Sequence, residues 1–139
     1  MNNDTKTTTT EAPRRPLTLE DDSPAGVPRA RDVARAFADS LTPAPAAETT
    51  ETLALVVSEL VTNALRHGGG RYTLELSATA DTVDVAVSDL NPAPPRERAP
   101  DLNDGTGGFG WHMVRRLTDS VTTSPGPGRG KTIHAHLTR

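Results

Sequence analysis

Glu59, Asn63 and His67 stand four residues apart in the stretch Glu59-Leu60-Val61-Thr62-Asn63-Ala64-Leu65-Arg66-His67. On a helix that spacing strings them in one row. A carboxylate in such a row can take a proton from an attacking hydroxyl or orient a water. An amide oxygen one turn further is a neutral, hard donor, and it suits magnesium, which takes few protein ligands and completes its shell with water and phosphate oxygens. Solvated residues bordering an amphipathic helix have the same spacing, so these residues alone leave both readings open.

A second cluster is Gly105-Thr106-Gly107-Gly108-Phe109-Gly110. Glycines let backbone N–H groups approach phosphate oxygens, and a helix starting there adds unpaired donors and a favourable dipole. The run matches G-x-G-x-x-G, but the preceding strand ends near Ser88, whereas a dinucleotide-binding turn needs it adjacent. Asp89 leaves that strand where a carboxylate can accept a hydrogen bond from an exocyclic amine such as that of adenine, or simply cap a turn. Gly130-Lys131-Thr132 invites a phosphate-loop reading, which fails: Pro125 stands where the first glycine is required, and strand-like residues follow instead of a helix. His134 and His136 share one strand face without a third ligand, and Trp111 and Met113 read as packing residues.

Positioning these groups falls to one domain, since the chain has 139 residues. With 34% hydrophobic and 3% aromatic residues, its core must rest on Val, Leu and Ala with anchors such as Phe37, Phe109 and Trp111. Composition marks Met1 to about Pro16 as a disordered leader, too polar to offset the entropy of ordering, and 17–139 as the folded domain. Leu17 to Leu19 predicts a short strand, Asp22-Ser23-Pro24 leads into a helix over Ala25 to Leu41, and the prolines within Thr42 to Ala47 break it. The clearest element is a helix over Ala47 to His67, whose Leu53, Val56, Val57, Leu60, Val61 and Ala64 fall on one side. Gly68 to Gly70 stop it. Alternating residues predict strands over Arg71 to Thr79 and Thr82 to Ser88, turning near Ala80 and Asp81. The segment from Asp89 to Gly108, with four prolines and three glycines, is long enough to serve as a lid. A helix over Phe109 to Asp119, a turn over Ser124 to Gly130 and a strand over Lys131 to Leu137 complete the order. Such an order predicts an α+β sandwich with helices on one face of a mostly antiparallel sheet.

Several function classes are disfavoured at this stage. A net charge of −3 provides no field for gathering nucleic acid. The lack of cysteine excludes disulfides, zinc knuckles and thiol nucleophiles, and suits a reducing compartment. With no apolar run of spanning length and no signal-like start, the expectation is a cytoplasmic protein that engages no membrane.

Taken together and in order, Glu59 to His67, Asp89, Gly107-Gly108-Phe109-Gly110 and Gly130-Lys131-Thr132 resemble the boxes of the GHKL ATPase superfamily. The likeness is greatest to the bacterial anti-sigma-factor serine/threonine kinases, abundant in actinomycetes, and covers about residues 17 to 138. The resemblance implies a two-layer Bergerat-type ATP fold with Asn63 as magnesium ligand, Glu59 as catalytic base and Asp89 as the adenine-recognising carboxylate. It further implies Gly107, Gly108 and Gly110 as phosphate-contacting glycines, Thr132 as a second adenine-side contact, and Arg66 or His67 near the phosphates. ATP and magnesium are the implied cofactors. The implied partners are a sigma factor, held inactive, and a small antagonist protein phosphorylated on Ser or Thr; the family also suggests a homodimer. One departure stands out: where the family usually carries glycines after the aspartate, this chain reads Asp89-Leu90-Asn91-Pro92-Ala93. A non-catalytic, nucleotide-dependent binding module is the rival reading. The catalytic domain of a histidine kinase is weaker, because no histidine precedes His67 to accept a phosphate.

Overall fold

The computed structural model describes residues 14–91 and 110–139, apart from residues 24, 68 and 127. Within them the chain forms β1 (Arg14–Asp21), α1 (Gly26–Asp39), α2 (Ala47–His67), β2 (Tyr72–Ala78), β3 (Thr82–Asp89), α3 (Gly110–Leu117), β4 (Ser120–Pro125) and β5 (Lys131–Thr138).

The helix α2 has the bounds its periodicity predicts, and all six of its expected core residues are buried. Against that face lie Ala30, Ala34 and Phe37 of α1 on one side and the sheet on the other. At the exposed rim the Arg35 guanidinium spans to both Glu51 carboxylate oxygens, tying α1 to α2. The short α3 packs on α2 through its buried Val114, with Trp111 partly buried against the same core. No helix among the described residues is long and apolar enough to cross a membrane.

All neighbouring strands run antiparallel, in the order β1-β2-β3-β5-β4. Strand alternation sorts the side chains by face. Leu74 and Leu76 of β2, Val83, Val85 and Val87 of β3, and Ile133, Ala135 and Leu137 of β5 are buried in one phase, towards the helices. The opposite phase is polar. There His136 Nδ1 lies 2.6 Å from Asp84 Oδ1 and His134 Nε2 lies 3.2 Å from Ser124 Oγ, so both histidines are held by neighbouring strands. An apolar phase on one side and a polar phase on the other is what produces a two-layer α+β sandwich with the helices of the described residues on one face, as the sequence predicts.

Four expectations need correcting. β1 begins at Arg14, inside the stretch assigned to the leader, and runs to Asp21; it forms by pairing along β2, with Leu17 opposite Leu76 and Leu19 opposite Leu74, and not by its own apolar content. Residues 1–13 of the leader lie outside the described residues. β4 was not anticipated: its residues Ser-Val-Thr-Thr-Ser-Pro are mostly exposed and lack alternation, and it forms as an edge strand along β5. The turn between them is consequently shorter than the expected Ser124 to Gly130, with Gly126 and Gly128 at φ of 90° and 56°. The last helix spans Gly110–Leu117 and not Phe109 to Asp119.

Candidate functional site

The C-terminal half of α2 carries the first set of polar groups. Glu59 and Asn63 are half-buried on the border of the apolar face, and Arg66 and His67 are exposed in the last turn. Burial pushes the Glu59 carboxyl above the ordinary glutamate value. The sign has a consequence for stability. A carboxyl whose pKa rises on folding binds protons more tightly in the native state, so its ionisation works against folding once the pH exceeds the unfolded value. Glu59→Gln is therefore expected to be more stable than the native chain at neutral pH, with the difference vanishing once the pH falls below the ordinary glutamate pKa; urea melts at neutral pH and below that value check this.

Beyond α2, Gly69 and Gly70 adopt φ of 99° and 84°. A Cβ at Gly69 would stand 3.0 Å from Leu90 Cβ, so the chain leaving the helix runs against the end of β3. Asn91 fastens the same junction, its Nδ2 donating to the His67 carbonyl at 2.7 Å. The end of α2 bearing the polar row and the end of β3 bearing Asp89 are thus brought together.

Asp89 closes β3 in phase with Val83, Val85 and Val87, facing the helices, and is 3% exposed. Its Oδ1 accepts the Asn91 backbone N–H at 2.9 Å, the turn-capping role that a strand-end aspartate commonly plays. Its Oδ2 accepts Lys131 Nζ at 2.8 Å, and the same ammonium donates to the Asn91 carbonyl at 3.1 Å. Lys131 holds this place because β5 starts tight against β3: a Cβ at Gly130 would fall 1.7 Å from the Asp89 carbonyl oxygen, and the register sets Lys131 opposite Asp89.

Thr132 is not brought to Asp89. It occupies the other phase of β5, where its hydroxyl lies 2.8 Å from Ser88 Oγ and donates to the Gly126 carbonyl at 2.7 Å, on the sheet face away from the helices. The residue that β5 sets beside Asp89 is Lys131, to which the sequence assigns no role of its own. The signal was there to find: Lys131 sits in phase with Ile133, Ala135 and Leu137, and a lysine at an inward strand position needs a buried partner. Gly110 opens α3, which packs against α2, while Gly107 and Gly108 lie outside the described residues.

Among the described residues no group of three His, Asp or Glu side chains is arranged to hold a metal ion. For magnesium the fitting donor is the Asn63 amide oxygen, half-buried one turn after Glu59, since that cation accepts a single hard protein oxygen when phosphates supply others.

A two-layer sandwich with polar groups gathered where a long helix meets the tips of two strands has the form of a nucleotide-binding domain. The comparison with protein families agrees: the Histidine kinase-like ATPase domain family matches residues 21–136, and the chain belongs to it. Membership implies ATP binding. A chain in the crystal structure of the SiaB-SiaC complex from Pseudomonas aeruginosa has the same fold, with a TM-score of 0.55 and 11% identity over 88% of this chain and 89% of that one. No curated protein matches the sequence.

Proposed function

We propose that this protein is an ATP- and magnesium-dependent serine/threonine protein kinase of the anti-sigma-factor type, acting in the cytoplasm as a homodimer. It would hold a sigma factor inactive and phosphorylate a small antagonist protein, the added phosphate deciding which partner stays bound. The observation that carries this reading is the Glu59 carboxylate, withdrawn from water on the border of α2 and one turn before the amide of Asn63. Family membership supports the nucleotide. The fold neighbour comes from a complex named for two proteins, which accords with a role in partner binding.

Glu59 takes the proton from the substrate hydroxyl as that oxygen attacks the γ-phosphorus; the bond from the γ-phosphorus to the β,γ-bridging oxygen breaks and ADP leaves. Asn63 would hold magnesium, which would neutralise phosphate charge. Arg66 and His67, in the exposed last turn, lie where α2 ends and add positive or hydrogen-bonding character near the phosphates. Asp89 recognises the base, and Gly107, Gly108 and Gly110 supply backbone donors to the phosphates. Placing the outward-facing Thr132 in this set has no support in the strand register.

The second reading, a non-catalytic nucleotide-dependent binding module, draws on one observation: the carboxylate meant for the base is already paired with Lys131. γ-Labelled ATP with an antagonist recovered by pull-down separates the two. Transfer of label to an antagonist Ser or Thr is expected; nucleotide binding without transfer leaves the module.

A further inference from the structure

We propose that Lys131 is an internal competitor for the base site, so that in the nucleotide-free protein the site is shut and opens only when the lysine ammonium leaves Asp89. This rests on reading Asp89 as the base-recognising carboxylate and concerns how that site is regulated.

The geometry leaves no route to Asp89 while Lys131 is in place. The aspartate and lysine side chains are 1% and 4% exposed, and where water does not reach, an exocyclic amine cannot reach either. Each carboxylate oxygen is engaged, Oδ1 by the Asn91 N–H and Oδ2 by the ammonium. The two occupants differ in how they can depart. The Asn91 N–H belongs to the backbone two residues on, in a segment fastened to the His67 carbonyl, and moving it would mean lifting the end of β3 from the end of α2. The lysine needs only to turn its flexible four-carbon stem and carry its charge to water.

A neutral amine replacing an ammonium forms the weaker hydrogen bond to a carboxylate. Nucleotide binding therefore proceeds against the ion pair, and Lys131 lowers the affinity that the rest of the site would give. The pair closes the site without any glycine after Asp89. Asn91, standing where the family usually has one, uses its N–H, carbonyl and side-chain amide together to hold the closed arrangement.

Calorimetric titration of the full chain and of Lys131→Met with ATP and magnesium tests the competition. The variant keeps the length of the side chain and removes its charge, and is expected to bind about tenfold tighter or better. A variant that binds equally or more weakly, while the native chain binds, overturns the competition and leaves the ATP reading intact. No heat from either protein overturns both. If Lys131→Met does not fold, the native chain decides through the side-chain ammonium ¹⁵N signals of its lysines. A slowly exchanging ammonium is expected without nucleotide and should be lost to rapid exchange on saturation with ATP; a signal that survives saturation unchanged overturns the proposal.

Discussion

Glu59→Gln should reduce phosphoryl transfer by about 10²- to 10⁴-fold while ATP remains bound. The amide matches the carboxylate in shape and keeps an oxygen in place, but it cannot take the proton of the attacking hydroxyl. Since Asn63, Asp89 and the glycines make the proposed nucleotide contacts and Glu59 makes none of them, ATP binding survives the change. Single-turnover transfer to the antagonist, measured beside ATP affinity, separates the two effects. The pH profile of the native protein adds an independent check. A base must be ionised, so activity falls as the pH drops through its pKa; because burial raises that pKa, the loss should begin closer to neutrality than for an ordinary glutamate. Transfer retained within a factor of two in Glu59→Gln removes the base assignment.

Asp89→Ala is expected to destabilise the fold by about 1–3 kcal/mol, because it removes the acceptor of the Asn91 N–H and leaves Lys131 to give up its buried packing as the ammonium turns out to water. Thermal unfolding should shift by on the order of 10 °C. The loss is that of the carboxylate's two hydrogen bonds and of the packed lysine stem, which suggests the control. Asp89→Leu combined with Lys131→Met removes both charges and fills the space with apolar atoms, and should recover most of the loss. If the single variant melts with the native protein, the two side chains are hydrated in solution and the closed site does not form.

The parts of this fold that were legible beforehand are those whose pattern is local. The apolar stripe from Leu53 to Ala64 contains its own period, and the hairpin around Ala80 and Asp81 its own alternation, so α2, β2 and β3 follow from neighbours in the chain. β4 and the first residues of β1 are strands only because another strand lies beside them, and no local pattern in Ser120–Pro125 announces that. The site divides along the same line. Glu59 and Asn63 share a helix face that spacing alone defines. The pairing of Asp89 with Lys131, 42 positions away, depends on which residues of β3 and β5 stand opposite each other, and a one-residue slip would have put Thr132 there instead. Strand register is a long-range property, and no local pattern around Lys131 reveals it.

One rod, α2, is both the floor of the interior and the mount of Glu59 and Asn63. Glu59 sits between Ser58 and Leu60, and Asn63 beside Ala64, each neighbour sealed against the core. A substitution on the apolar side of that rod is therefore expected to disturb Glu59 and Asn63 together with the fold.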